Sequence, residues 1–227
     1  MRGMLMFCLM AAVAPFGWAA PAEATPDQLL RAATLELAEG IRQDGQRRSG
    51  QLLLERVGST VLPWFDAGHM TRLAMAQSWG LASPVQQQAL VAEFRALLAR
   101  TYVATLAYRP GQAIEFRPLR WVPDTLGATL RSSLKQSGIE TASVDYVMEK
   151  TASGWKIHDL RIAGVSMVAS YRSAFAELIR ARGVEGLLQG LAAANQQAQA
   201  SDRPDESATR NALFSYSILT SVVRGRH

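Results

Sequence analysis

Cysteine and histidine are scarce in this 227-residue chain: Cys8 is the single cysteine, and the three histidines are His69, His158 and His227. One thiol cannot close an intramolecular disulfide, and no two histidines stand at a metal-binding spacing, so the sequence offers no metal site and no metal catalysis. Glycine-rich phosphate loops are missing, and Gly164-Val165-Ser166 does not complete a nucleophile elbow because Val168 stands where the second glycine belongs. Basic runs are short as well. Gln46-Arg47-Arg48 is the densest, and the aromatics are not interleaved with arginines, which excludes a nucleic-acid platform. Nor is there an apolar run of the roughly 20 residues that a membrane-spanning helix needs: the longest, Met4 to Ala14, stops at Pro15.

What is present describes a packed protein. The chain is 48% hydrophobic and 19% charged, with nine prolines and a net charge of +5, which excludes disorder, collagen and coiled coil. The apolar run behind Arg2, followed by Ala22-Glu23-Ala24, has the form of a secretory signal cut after residue 24; a buried core helix or an uncleaved anchor is the alternative. Cleavage there removes Cys8 and leaves the charge at +5, because Arg2 and Glu23 cancel. Cys8 follows Leu5-Met6-Phe7 rather than small residues, so it does not suit lipid attachment. The resulting division is a signal over 1–24, one domain over 25–195, and a polar linker with a poorly ordered tail over 196–227, the mature protein being periplasmic in a double-membraned bacterium.

Within 25–195 the apolar period changes once. Steps of three and four predict helices over Pro26 to Asp44, from Gln46 to Pro63, from Asp66 to Gly80, and from Ser83 to Tyr108, with Thr25 and Asp66 as N-caps. Beyond Arg109-Pro110-Gly111 the period becomes two: Ile114 and Phe116; Leu126, Ala128, Leu130, Ser132 and Leu134; Val144, Tyr146 and Met148; Trp155 and Ile157. Turn residues at Gln136-Ser137-Gly138 and Thr151-Ala152-Ser153-Gly154 join these into an antiparallel meander. Two helices follow, Ser166 to Arg182 and Val184 to about Gln197, split at Gly183. The fold class is α+β: a curved four-stranded antiparallel sheet packed on a helical layer.

Asp66, Tyr102, Tyr146 and Asp159 are the candidates for acid–base chemistry in a cavity enzyme of steroid-isomerase-like architecture, while the same residue types form caps and buried hydrogen bonds in ordinary cores. No catalytic residue and no cofactor is assigned. An adaptor that holds its partners through Trp64 and the long helix is the other alternative.

Several strings in order carry a resemblance: Leu62-Pro63-Trp64-Phe65-Asp66, His69-Met70-Thr71-Arg72, Trp79, Phe94-Arg95-Ala96-Leu97-Leu98 with Thr101-Tyr102, then Val144-Asp145-Tyr146, Trp155-Lys156-Ile157-His158-Asp159, Gly164-Val165-Ser166 and Tyr171-Arg172-Ser173 with Phe175. Together they resemble the MlaC, or toluene-tolerance, family of periplasmic phospholipid-binding proteins of the Mla pathway, over about residues 25–195. His158 stands where the family usually has an aromatic. The resemblance implies no enzyme, but a carrier of single phospholipids between an outer-membrane lipoprotein–porin complex and an inner-membrane ABC transporter with a lipid-binding ring, maintaining outer-membrane asymmetry. A carrier needs an apolar cavity with polar groups at its mouth, so the resemblance implies that the curved sheet and the helices enclose one. The alternation then selects Val144, Tyr146, Met148, Trp155 and Ile157 from the strands and Leu97, Tyr102 and Leu106 from the long helix as lining, with Trp64 and Phe65 at the entrance.

Overall fold

The computed structural model describes residues 25–43, 50–105, 112–117, 125–136 and 139–200. The proposed signal, Leu106, Arg47 and Arg48, and residues 201–227 of the proposed tail lie outside them.

Local chemistry sets the helix starts. In α1 (Pro26–Gln43), Thr25 supplies the carbonyl that accepts from Leu29 N, and its own N–H donates to Gln28. After α2 (Gly50–Arg56) the chain widens into a π-helical turn over Val57–Val61, then tightens into a 3-10 turn over Leu62–Trp64 where Pro63 removes a donor. Asp66 caps α3 (Ala67–Met75) by accepting from His69 N at 2.8 Å, as expected. That helix ends before Gly80: Ala76 takes φ 49°, on the side that disfavours an L side chain, and a 3-10 segment runs on to Leu81. Ser83 and Gln86 form a reciprocal capping box at the start of α4 (Pro84–Thr105).

The sheet is a meander of five strands in chain order, β1 (Gln112–Phe116), β2 (Gly127–Gln136), β3 (Ile139–Thr151), β4 (Gly154–Ile162) and β5 (Val165–Ser166). The fifth strand corrects the expected four. It is two residues long, too short for a period, and Ala163 and Gly164, both at positive φ, turn the chain into it. Leu126 is also corrected: it precedes β2 and stands exposed rather than continuing the inward row. Across β2, β3 and β4, Leu130 faces Tyr146, which faces Leu160, while Ser132 faces Val144, which faces Ile162. Met148 faces Ala128 and Ile157, so His158 is the extra residue of a bulge in β4. The bulge puts Ile157 and Leu160, three apart, on the same face. Phe65 bridges to Ile157, and Asp66 N donates to Ile157 O at 2.9 Å, so the segment after α2 covers part of the β4 edge.

The last of the described helices, α5 (Met167–Ala200), packs on α3 and α4 and breaks at Gly183, as expected. With φ 69° and ψ −176°, Gly183 occupies a conformation open essentially to glycine alone, and a Cβ on Gly186 would lie 2.1 Å from Arg182 Cβ. Phe94, Tyr171 and Phe175 meet edge-to-face between α4 and α5, where Thr101 Oγ1 and Tyr171 Oη share a buried hydrogen bond of 3.1 Å. Among the described residues no helix is long and apolar enough to cross a membrane.

Candidate functional site: the interior between sheet and helices

The period-two face of the sheet supplies a continuous apolar wall. Leu130, Leu134, Val144, Tyr146, Met148, Trp155, Ile157 and Leu160 are all buried, with Ser132 among them. Leu97, Tyr102 and Phe65 are buried in the same core, and Trp64 packs against it half-buried. Thus nine of the ten residues selected from the sequence enter one core or its margin, and the tenth, Leu106, lies outside the described residues. Among the described side chains, none that is charged is buried along the inward rows of β2, β3 and β4.

Two of the buried polar groups are phenols on opposing layers. Tyr102 comes from α4 and Tyr146 from β3, at 2% and 0% exposure. Phe65 meets Tyr102 edge-on at 6.1 Å, and Phe116 lies tilted against Tyr146 at 6.3 Å, so both rings are held by packing. Thr34 of α1, Ser132 of β2 and the two phenols themselves stand close enough to influence one another, yet neither phenol oxygen has a partner at hydrogen-bonding distance and angle. The neighbouring hydroxyls donate to the backbone instead, Thr34 to Leu30 O at 2.8 Å and Ser132 to Val144 O at 3.2 Å. The sequence alone does not pair these four positions; they meet only when α1 and α4 lie over the sheet.

Burial keeps both phenols neutral. It pushes Tyr146 up to about 12, against the opposing influence of the Tyr102 and Ser132 hydroxyls, and raises Tyr102 well above the usual phenol range, with Tyr146 adding to the rise. A tyrosine in the unfolded chain ionises near 10. Between that value and 12 the folded state holds more protons, so this contribution to stability is complete below about pH 10 and falls as pH rises. Urea midpoints are expected to be flat to about pH 9.5 and then drop. Tyr146→Phe should remove up to about 1.4 kcal/mol per pH unit of that slope, measured as the difference between the two proteins.

The carboxylates considered for acid–base work are engaged elsewhere. Asp66 caps α3, and Asp159 accepts from Ser166 Oγ at 2.7 Å and from Val168 N at 3.1 Å at the start of α5. The bulge brings His158 edge-on to His69 with ring centres 6.0 Å apart, a proximity their separation in sequence hides. Among the described residues no group of three or more histidines, cysteines or carboxylates could hold a metal ion. Arg172 ties two helices together by donating to Leu73 O at 2.9 Å.

Helices laid over one face of an antiparallel sheet, whose described inward rows carry no buried charge, define an α+β domain suited to enclosing an apolar ligand. The chain belongs to the MlaC family: the family's sequence model, described as MlaC protein, matches residues 31–193. Among solved structures it is similar to a phospholipid-binding protein from Ralstonia solanacearum determined in complex with a phospholipid. The two are 31% identical with a TM-score of 0.70 over 77% of this chain and 98% of that one.

Proposed function

We propose that this protein is a periplasmic phospholipid carrier, a binding and transport protein rather than an enzyme. It is exported by a signal over 1–24, folds over 25–195, and passes single phospholipids between an outer-membrane lipoprotein–porin complex and an inner-membrane ABC transporter with a lipid-binding ring. That exchange serves outer-membrane lipid asymmetry. Leu97, Tyr102, Val144, Tyr146, Met148, Trp155 and Ile157 line the acyl space, with Trp64 and Phe65 at its entrance. The carrying observation is the uncharged inner face of the sheet, in a chain 31% identical to a protein solved with a phospholipid bound.

The energetics suit a passive carrier. Two acyl chains hold roughly 30 methylenes, so their exposure to water would cost on the order of 20 kcal/mol at about 0.8 each. A protein that replaces one apolar surrounding by another removes most of that barrier but sets no direction, which its partners must impose. Tyr146, Ile157 and Leu130 have no water-accessible surface. Admission of acyl chains therefore requires sheet and helices to part, exchanging contacts between the layers for contacts with lipid.

The test is extraction of protein purified without detergent, with mass spectrometry of the extract. Glycerophospholipid at near one molecule per protein is expected. Cooperatively folded protein that carries no lipid and takes none from liposomes would overturn the carrier reading.

A further inference from the structure

We propose that the hydroxyls of Tyr102 and Tyr146 form a hydrogen-bonding subsite for the ester carbonyls of a diacyl lipid, an assignment that rests on the carrier reading. The two phenols come from opposite layers, one from α4 and one from β3, and each is almost wholly buried without a hydrogen-bond partner. Their rings are fixed by Phe65 and Phe116, so what is unsatisfied is the polar tip alone. Buried hydroxyls in folded proteins nearly always have partners, because an orphan bears its full desolvation cost. Two orphans facing one interior are a cost to the unliganded fold that a ligand can relieve.

The chemistry of the tips selects the ligand group. A neutral phenol offers one proton, so the complement is an acceptor. Arg100 of α4 has a buried guanidinium nitrogen, but its electrostatic partners are Glu93 and Tyr171 and it exerts no influence on either phenol, so an anion placed between the phenols would be desolvated without compensation. A neutral carbonyl avoids that cost. Among the parts of a phospholipid, the fatty-acid esters are the neutral acceptors joined directly to the apolar chains. The phosphate and the rest of the headgroup then remain outside the tyrosine pair. The arrangement also gives a selectivity that apolar contacts alone cannot supply: a dialkyl-ether lipid of equal chain length fills the same space and leaves both hydroxyls unpaired.

The experiment incubates protein expressed from the full sequence, freed of lipid, with vesicles of equimolar dioleoyl phosphatidylglycerol and its dialkyl-ether counterpart. The protein is separated and its lipids are quantified by mass spectrometry. The wild type is expected to enrich the diester about tenfold over the ether. Tyr102→Phe and Tyr146→Phe should each shrink that ratio several-fold, and the double variant should bring it near one while still loading ether lipid. Because each substitution removes only an unpaired hydroxyl, the variants should melt at or above the wild-type temperature. Equal loading of both lipids by the wild type, or a preference that survives in the double variant, overturns the subsite and leaves the carrier standing. Variants that melt lower and lose both lipids alike overturn it too, since that outcome assigns the hydroxyls a structural role. Failure to load either lipid overturns the carrier reading itself and the subsite with it.

Discussion

Asp159→Ala is expected to lower the free energy of unfolding by about 3 kcal/mol and the thermal midpoint by about 10 °C. Asp159 is buried at the point where sheet and helical layer are joined, and its two oxygens hold separate partners, Ser166 Oγ at 2.7 Å and Val168 N at 3.1 Å. Ser166 Oγ in turn accepts from Ala169 N at 3.1 Å, so one carboxylate organises two first-turn donors of α5, one directly and one through a hydroxyl. Hydrogen bonds to a charged acceptor contribute about 1.5–3 kcal/mol each, and their removal leaves the Val168 N–H buried. Ser166→Ala should be milder, about 1 kcal/mol, because Asp159 still holds Val168 N. Equal losses for the two substitutions in urea unfolding would show that the serine, and not the carboxylate, governs the junction.

That junction also shows where sequence reasoning reached its limit. The period of two located Val144, Tyr146 and Met148 on one face because alternate residues of a regular strand must share one. It could not locate Leu160, since a bulge at His158 shifts the phase by one residue and depends on pairing with β3 that no local pattern encodes. The break at Gly183 was legible because that backbone geometry has one residue type to serve it. The stop at Ala76 was not, because an alanine at positive φ is imposed by the surrounding packing rather than by its own preference. The same distinction applies to the interior. The apolar character of the sheet's inner face followed from spacing, whereas the unpaired state of Tyr102 and Tyr146 is a property of distances among α1, α4, β2 and β3. Asp66 and Asp159 were ambiguous as residue types between cap and acid–base group, and their backbone partners identify them as caps.

Val144→Trp is the substitution that separates an acyl space from an ordinary core. Val144 is buried in the middle of the inner face, between Ser132 on β2 and Ile162 on β4. If the interior never opens, the indole has nowhere to go, and overpacking should cost about 1–3 kcal/mol or more with no effect specific to lipid. If the layers part to admit acyl chains, the same movement accommodates the indole, which then occupies volume that lipid would fill. The expected result is a folded protein with its thermal midpoint within about 5 °C of wild type and lipid content reduced about tenfold or more. Lipid per folded molecule, measured by extraction alongside the melting curve, makes the comparison independent of yield. A folded variant that retains its full complement of lipid would move the acyl space away from β3 and remove Val144 from its lining. Strong destabilisation with undiminished lipid per folded molecule would assign Val144 to the permanent core. Loss of lipid without loss of fold is the outcome that only a separable interior produces, because a core already filled by its own side chains has no occupancy to lose.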